Sequence, residues 1–355
     1  MRTSVVGGTP NLSRPPVMAD VARLAGVSHQ TVSRVLNDHP NVRPHTREKV
    51  LAAIRELAYR PNAAARTLVT RRTHTLGVIT ADTNTLLYGP ASMLYEFERA
   101  AHDAYFVSVA SLPALNRRSM LDAVDRLLGQ GVEGIVAIAT HDTSVAALAH
   151  VPPEVPLVAV GCGTRASVTS VAIDNAAGAA AATRYLLSLG HTAVYQVAGP
   201  ASCLDAKERV DGWRQVMQEA GEAQPKVLEG DWSACSGYEI GVQLAGESDL
   251  TAVFCANDAM ALGVMRALTE RGLRIPADVS IVGFDDVAEA GFYMPPLTTV
   301  RQDFGQVGRL ALTTLVERMS SAIPAGRRVR VAPELIVRAS AAPPRLGSAP
   351  PRPAG

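Results

Sequence analysis

The sequence predicts an α/β protein in which a small three-helix head and a linker helix precede a core of two lobes, each a doubly wound parallel sheet. Three observations support this prediction. Apolar residues recur with helical spacing over residues 18–61. Short apolar runs rich in β-branched residues then alternate with amphipathic stretches through the remaining chain. A chain of 355 residues is also long enough for two or three domains of about 100–150 residues each.

The head reads as three short helices. A first helix ends at Gly26, and Ser28 can cap a second helix with its hydroxyl. The third helix lies within HTREKVLAAIRELAY and closes a core that two helices alone could not bury. The apolar residues at helical spacing are Met18, Val21, Ala22, Ala25, Val32, Val35, Leu36, Val50, Ile54 and Leu57. This order of helices and turns is typical of a helix-turn-helix unit.

The second helix of the head keeps a polar face. Its candidate contact residues are His29, Gln30, Thr31, Ser33, Arg34 and Asn37. In a helix-turn-helix unit this helix enters the major groove of DNA, where Gln and Arg side chains can make bidentate contacts with base edges. Gln30 and Arg34 are four residues apart and therefore share one face. A solvent-exposed helix could carry the same residues, so the rest of the chain must decide between the two interpretations.

Charge is distributed unevenly along the chain, although the formal net charge is only +1. Residues 18–72 hold ten Lys and Arg against four Asp and Glu. Residues 73–355 hold 22 basic and 29 acidic residues, a formal charge of −7. A basic head on an acidic body is typical of a nucleic-acid-binding protein that has a separate second function.

The ends of the chain and its cysteines indicate the expected compartment. The N-terminal stretch MRTSVVGGTPNLSRPP lacks the apolar run of a signal peptide, and no segment reaches the ~20 apolar residues of a membrane span. We therefore expect a cytoplasmic protein with reduced thiols and no membrane partner. The two ends, rich in Pro, Gly and Ser, are expected to be disordered.

The motifs that would mark an enzyme or a cofactor site are missing. The sequence contains no P-loop, no G-x-S-x-G elbow and no H-E-x-x-H, and its four cysteines lack metal-ligand spacing. GCGTRA, which starts at Gly161, fits a dinucleotide-binding pattern, but the stretch after it reads as a strand and not as the helix that caps a phosphate. We expect no enzyme activity, no cofactor and no metal.

The sequence resembles the lactose-repressor family of bacterial transcription regulators. The likeness begins with MADVARLAGVSHQTVSRVLN and TREKVLAAIRELAYRPNAAARTL in the head. It continues in the body through GDWSACSGYE, ANDAMALGVMRALTERGLRIPADVSIVGFDD and PPLTTVRQDF. It covers residues 18–340, and the body resembles that of the family's namesake more than the family's average member. Agreement over several motifs is far more specific than a lone helix-turn-helix.

The resemblance implies a hinge helix after Pro61. The stretch NAAARTL is rich in helix-forming residues but too short to be a stable helix alone in water. In the family this segment pairs with its dimer mate in the minor groove. Leu68 matches the leucine that is inserted between base pairs, and Arg66 would contact a phosphate. The alternative is that Leu68 packs on the body.

The resemblance also implies a periplasmic-binding-protein-like core in which the chain crosses three times between the lobes. We expect a disordered extension at 1–17, the head at 18–61, the hinge helix and linker at 62–73, the core N-terminal lobe at 74–189 plus 303–331, the core C-terminal lobe at 190–302 plus 332–340, and a disordered tail at 341–355.

A ligand is expected in the cleft between the lobes, at the carboxyl ends of the strands. Asp and Asn side chains there would suit vicinal hydroxyls, Arg adds directed donors, and aromatic rings cover the C–H face of a pyranose. The residues that the resemblance places at the cleft are Arg209, Trp232, Asn257, Asp285 and Phe304, with Gln302 beside them and Tyr88 at the rim on a longer loop. The alternatives are loop caps for Asn257 and Asp285, a surface ion pair for Arg209, and ordinary core positions for Trp232 and Phe304.

Two positions depart from the namesake's pattern. Asp205 stands where the namesake has a serine, and Ala177 stands where it has a carboxylate. The sugar class is unaffected, but the particular sugar is left open, with a galactoside as the first candidate.

The sequence therefore predicts a transcriptional repressor of carbohydrate-utilisation genes, released from its operator allosterically by a sugar. We expect a homodimer on palindromic operator DNA and no tetramer, because the proline-rich tail has no leucine heptads. A regulator of this fold that responds to a purine is the alternative. A solute-binding protein would not need the basic head, and a sugar-modifying enzyme would need paired acid and base carboxylates, which the adjacent Asp285 and Asp286 do not supply.

Overall fold

The computed structural model describes residues 14–36, 39–59, 72–81, 88–161, 168–320 and 326–345. The chain divides into two compact units, Met1–Thr73 and His74–Gly355. Among the described residues, no helix is long and apolar enough to cross a membrane.

The first unit contains the three helices predicted for the head. They are α1 at Met18–Ala25, α2 at His29–Leu36 and α3 at Pro44–Glu56. Gly26 ends α1 in the left-handed conformation at φ +65°, which a glycine adopts without steric strain. The Ser28 hydroxyl accepts a hydrogen bond from the Thr31 backbone N–H at 3.2 Å and so caps α2.

The core of the head follows the predicted helical spacing, although only half of the ten predicted residues are fully buried. Its buried residues are Val21, Ala22, Val32, Val35, Val50, Ala53 and Tyr59. Ala53 and Tyr59, which the spacing did not include, take inner positions next to Val50. The predicted residues that are only partly buried and pack around this core are Met18, Ala25, Leu36, Ile54 and Leu57. The predicted helix-turn-helix head is confirmed.

The first sheet of the second unit has six parallel strands in the order β11-β5-β4-β3-β1-β2. These strands are β1 at Thr75–Ala81, β2 at Phe106–Leu112, β3 at Gly134–Ile138, β4 at Leu157–Val160, β5 at Ser170–Ile173 and β11 at Arg328–Val331. The helices that cover its faces are α4 at Tyr88–Ala101, α5 at Arg117–Gly129, α6 at Asp142–Leu148 and α11 at Phe304–Met319. Helices α5 and α6 bury residues on one face, and α4 and α11 on the other.

The second sheet repeats this order as β12-β10-β9-β8-β6-β7, and only β12 runs antiparallel to its neighbour. Its strands are β6 at Val194–Ala198, β7 at Leu228–Glu229, β8 at Ala252–Cys255, β9 at Ser280–Asp285, β10 at Thr298–Arg301 and β12 at Glu334–Ile336. Its helices are α7 at Asn175–Ser188, α8 at Leu204–Glu219, α9 at Ala234–Leu244 and α10 at Asp258–Glu270, with a short 3₁₀ helix at Ala288–Phe292. The chain crosses between the sheets after β5, after β10 and between β11 and β12.

Helix α7 lies on the second sheet, although the expected division placed residues up to 189 in the first lobe. Ala179, Ala182 and Leu186 of α7 share a core cluster with Phe254 and Phe284. The small residues of this helix allow a close approach, and a Cβ on its Gly178 would lie 2.9 Å from the Phe284 ring. The first crossing therefore lies just before α7 and not after it.

Parts of both ends that were expected to be disordered are held by the fold. The Ala342 N–H donates to the Ser280 hydroxyl at 3.0 Å, and that hydroxyl donates to the Ala342 carbonyl at 2.8 Å. At the other end, the Val17 N–H donates to the Asp20 carboxylate at 3.0 Å. The expected disordered ends therefore include residues 14–17 and 341–345, which the structure describes and which make these contacts. The remaining end residues lie outside the described ranges.

Candidate DNA-reading helix and ligand cavity

Helix α2 presents its polar side chains outward. His29, Gln30 and Arg34 are exposed, whereas Thr31 and Ser33 are partly buried. The Thr31 hydroxyl lies 2.9 Å from that of Ser28 and so belongs to the cap of the helix. The predicted groove-reading pair, Gln30 and Arg34, is thus available on one face. The predicted contacts Asn37, Arg66 and Leu68 lie outside the described residues.

The second unit contains a cavity of about 210 Å³ between its two sheets. The lining residues are Tyr88, Gly89, Pro90, Met93, Thr140, Cys203, Asp205, Arg209, Trp232, Asn257, Ala259, Asp285 and Gln302. Several of them follow the carboxyl ends of parallel strands, where ligands bind in open α/β sheets. The structure therefore brings together six of the seven residues predicted for the cleft.

Arg209 lies at the centre of the polar half of this cavity and is 3% exposed. Its Nε donates to the Asn175 Oδ1 at 2.8 Å, and its Nη1 donates to the Ala256 carbonyl. The guanidinium packs over the Phe284 ring, 3.8 Å from the ring centroid, and lies 5.5 Å from that of Trp232. These contacts fix the direction of its donors, so the alternative of a surface ion pair is wrong for Arg209.

Asp285 ends β9 with a backbone that only a few non-glycine residues adopt, at φ +114°. Its Oδ1 accepts a hydrogen bond from the Gln302 amide at 2.5 Å and lies 3.7 Å from the Arg209 Nη1. Burial raises the pKa of Asp285 to about 7, while the nearby guanidinium opposes the rise. A carboxyl held between an amide and a guanidinium can accept hydrogen bonds from a ligand hydroxyl.

Asn257 and Trp232 position one another. The Asn257 Oδ1 accepts from the Met260 N–H at 2.9 Å and caps α10, as the alternative interpretation expected. Its Nδ2 donates to the Trp232 carbonyl at 3.0 Å and holds a residue whose φ is +74°. Asn257 therefore lines the cavity and also fixes the loop that carries the indole.

Phe304 does not line this cavity, in contrast to the prediction. It is 5% exposed and lies in the core of the first lobe with Met93 and Phe97. Its ring meets that of Tyr88 edge-on, with 5.7 Å between the centroids. As the first residue of α11, Phe304 is drawn into this apolar layer. It supports Tyr88 from behind and borders a neighbouring groove of about 790 Å³.

Sequence reasoning missed Asn175, which connects two cavity residues. Its Oδ1 accepts from Arg209, and its Nδ2 donates to the Asp205 Oδ1 at 3.2 Å. Asn175 is 3% exposed and follows β5 by two residues. That position after a buried strand, the same signal that marked Asn257, could have identified it.

The two lobes also touch beside the cavity. The Leu204 N–H donates to the Thr140 carbonyl at 2.9 Å, and the Lys207 ammonium bonds the Asp142 carboxylate. The Leu204 side chain is buried in a core cluster of the first lobe. These contacts close one side of the cleft in this arrangement of the lobes.

Comparison with known proteins agrees with this architecture. Residues 17–62 match the family of bacterial regulatory proteins called the lacI family, and residues 183–341 match a periplasmic binding protein-like domain. The lactose operon repressor of Escherichia coli (strain K12) is 36% identical over 308 residues, which is 86% of this chain and 85% of that protein. The HTH-type transcriptional repressor PurR of Haemophilus influenzae (strain Rd) is 33% identical over 328 residues, which is 90% of this chain and 97% of that protein.

Among solved structures, the fold is similar to that of the Lac repressor dimer bound to operator and the anti-inducer ONPF. The TM-score is 0.81 at 33% identity, and the match covers 93% of this chain and all of the other. The predicted two-lobed fold is thereby confirmed. The chain belongs to the lacI family of bacterial regulatory proteins and is a DNA-binding transcriptional regulator under the control of a small-molecule effector.

Proposed function

We propose that this regulator represses carbohydrate-utilisation genes and that a sugar bound in the cavity releases it from its operator. One observation carries the choice of a sugar. The cavity gathers a buried guanidinium, two carboxyl groups and the indole of Trp232 around one small space. Sugars present hydroxyl groups along their edges and C–H groups on their ring faces, and this lining serves both.

The roles of the cavity residues follow from their contacts. Asp285, fixed by Gln302 and Arg209, would accept hydrogen bonds from ring hydroxyls. Donors of the Arg209 guanidinium would bond sugar oxygens, and Trp232 would cover the ring face. A galactoside is our first candidate, since the lactose operon repressor is among the similar proteins.

A purine effector is the second candidate, because PurR of Haemophilus influenzae is nearly as similar to this chain. A flat base would be best held between aromatic faces, with polar groups reading its edge. Trp232 and Tyr88 supply the aromatic side chains of the cavity, but Tyr88 is 42% exposed and its ring packs edge-on against Phe304. This arrangement favours the sugar.

We also propose that two copies act together on a palindromic operator in the cytoplasm. Helix-turn-helix units read half-sites about one helical turn, ~34–36 Å, apart, which requires a dimer. The Lac repressor structure to which the chain is similar is itself a dimer on its operator. A ligand that favours lobe arrangements incompatible with paired hinges would then shift the population off DNA.

The same cavity would bind its sugar ligand without catalysing a reaction of that sugar. A glycoside hydrolase needs two carboxyl groups placed across one bond. The two carboxyl groups of the lining, those of Asp205 and Asp285, both come from the second lobe and so lie on one side of a ligand. Asp286, the neighbour of Asp285, is bonded to Arg301 at 2.7 Å and to Arg338 at 2.6 Å. Incubation of the purified protein with the bound sugar should therefore leave the sugar unchanged.

The effector is tested by a thermal-shift screen of neutral sugars and of the bases guanine and hypoxanthine. A ligand that binds only the folded state raises the melting temperature in proportion to ln(1+[L]/Kd). We expect a shift with a sugar, and the same sugar should dissociate the protein from an operator selected out of random duplexes. A shift with a base and none with any sugar would contradict the proposal.

The DNA-reading role of α2 is tested with Gln30→Ala and Arg34→Ala on the selected operator. Each bidentate base contact is worth ~1–3 kcal/mol of discrimination, so both variants should bind more weakly and tolerate base changes at one position. His29 should modulate which operator is preferred. Unchanged affinity of both variants at matched salt would contradict a role in groove reading.

A further inference from the structure

Asp205 is a cavity-lining carboxylate with fewer close polar partners than its neighbour Asp285. It lies in the first turn of α8, four residues before Arg209. Among the described residues, the Asp205 side chain makes one hydrogen bond: its Oδ1 accepts from the Asn175 amide at 3.2 Å. Asp285 has both an amide partner and the Arg209 guanidinium within 4 Å. Asp205 therefore retains accepting capacity that the protein does not use.

Two of the three guanidinium nitrogen atoms of Arg209 bond to groups other than Asp205. Its Nε is bonded to Asn175 and its Nη1 to the Ala256 carbonyl, and the carboxylate next to it is that of Asp285. Asn175 thus bonds to both the guanidinium and Asp205. Lys207, the cation nearest to Asp205 in sequence, is paired with Asp142 and does not line the cavity.

The lining therefore carries two carboxyl groups and one guanidinium. Because burial raises the pKa of Asp285 to about 7, the formal charge of the lining at neutral pH lies between 0 and −1 when Asp205 is ionised. A carboxylate in a partly dehydrated cavity favours ligands that donate hydrogen bonds and disfavours ligands of the same sign. Burial raises the pKa of Asp205 to about 6, with Arg209 opposing the rise, so this carboxyl group is mostly ionised at neutral pH.

We propose that Asp205 is a specificity residue that selects an uncharged sugar by accepting hydrogen bonds from its hydroxyl groups and that excludes phosphorylated sugars and uronic acids. This inference rests on the proposed sugar effector and adds the charge class of that sugar. Asp205 stands where the namesake of the family has a serine, and this difference would change ligand selection. A serine hydroxyl can donate a hydrogen bond to an anionic ligand, whereas an ionised carboxylate cannot.

The test compares neutral and anionic forms of the same sugars. Calorimetric titration of the full chain would use galactose, glucose, ribose and lactose, the phosphates of the first three, galacturonate, guanine and hypoxanthine. The variants are Asp205→Asn, which keeps the shape and removes the charge, and Asp205→Ser. The control is Asp211→Asn on the same helix, because Asp211 lies outside this cavity and pairs with Arg214.

We expect wild-type protein to bind a neutral sugar at least about tenfold more tightly than its phosphate. Charge-assisted hydrogen bonds are among the stronger ones, so Asp205→Asn should lose about tenfold to a hundredfold in affinity for the neutral sugar. The same variant should bind the phosphate relatively better, and Asp211→Asn should change neither affinity. The melting temperatures of the ligand-free variants report separately whether each one folds.

The outcomes separate this inference from the proposed function. A sugar that binds Asp205→Asn and wild-type protein with the same preference for the neutral form would overturn the role of Asp205 alone. So would tighter binding of the anionic form by wild-type protein. Binding of a base only, or of nothing in the panel, would overturn the sugar effector and this inference together.

Discussion

The two lobes share one strand order but contribute unlike halves to the cavity. The first lobe supplies Tyr88, Gly89, Pro90, Met93 and Thr140, none of which is charged at neutral pH. The second lobe supplies Asp205, Arg209 and Asp285, together with the indole of Trp232. Equal topology therefore does not lead to equal chemistry, since loops and strand ends carry function and the sheets only position them.

The charged half of the cavity, formed by Asp205, Arg209 and Asp285, is held in place by hydrogen bonds within the protein. Asn175, Gln302 and the Ala256 carbonyl hold the carboxyl and guanidinium groups in place within the second lobe and at the crossing after β10. Groups that are fixed beforehand lose little entropy when a ligand binds. We infer that the second lobe recognises the effector and that the first lobe covers it, and the following substitutions test this division.

The largest effect is expected from Arg209→Ala. The change removes the single cation from the lining and leaves Asp285 and Asp205 without it. Removing one partner of a buried ion pair costs about 3–5 kcal/mol in the free energy of unfolding, and effector binding should be lost. Urea denaturation and calorimetric titration measure the two effects. Arg209→Lys keeps the charge but not the fork of donors, so it should fold better and still bind weakly.

A wild-type response to the effector in Arg209→Ala would show that recognition does not depend on the charged half. In that case the division between the lobes would be wrong.

Gln196→Leu should stabilise the second lobe. Gln196 lies in β6, is fully buried, and neither its Oε1 nor its Nε2 has a hydrogen-bond partner among the described residues. An unsatisfied buried polar group costs about 1–3 kcal/mol, so a leucine of similar size should raise the free energy of unfolding by that order. Effector affinity should not change, because Gln196 does not line the cavity.

The matched control for Gln196→Leu is Tyr195→Phe. The Tyr195 hydroxyl donates to the Asp249 carboxylate at 2.6 Å, so its removal should destabilise the same strand. Equal losses of stability in both variants would indicate that Gln196 has a partner, such as a buried water.

Tyr88→Phe should have the smallest effect on effector affinity. It tests the contribution of the first lobe, which we infer covers the effector. The ring at position 88 would still pack edge-on against Phe304, and only the hydroxyl of this partly exposed residue would be lost. A neutral hydrogen bond contributes about 0.5–1.5 kcal/mol, which corresponds to at most about tenfold in effector affinity. A hundredfold loss of effector affinity, measured by titration, would mean that the first lobe also recognises polar groups of the effector, as the second lobe does.

Much of this arrangement could be predicted from the sequence, and the gaps have physical causes. Helical spacing identified the three helices of the head, and apolar runs identified the parallel strands. Spacing does not say which sheet a helix covers, so α7 was assigned to the wrong lobe. Small residues such as Gly178 allow it to lie against Phe284 of the second sheet.

The sequence predicted most of the residues that line the cavity but not the contacts that those residues make with one another. Resemblance placed Arg209, Asp285 and Trp232 at the cleft, where the structure has them. It also placed Phe304 there, but this ring packs into the first lobe because an apolar side chain at the start of α11 gains more from burial. Asn175 was missed because its role depends on Arg209 and Asp205, which are distant in sequence.

We infer that effector recognition lies in the second lobe and can be separated from DNA reading by α2. It is tested most directly by Asp285→Ala, with fluorescence anisotropy on the selected operator and titration of the sugar that shifts the wild-type melting temperature. The claim predicts operator affinity near that of wild type at matched salt and a requirement for at least about a hundredfold more sugar, as expected when a charge-assisted hydrogen bond of about 1.5–3 kcal/mol is lost together with its partners. Release of this variant at the wild-type sugar concentration would contradict the claim.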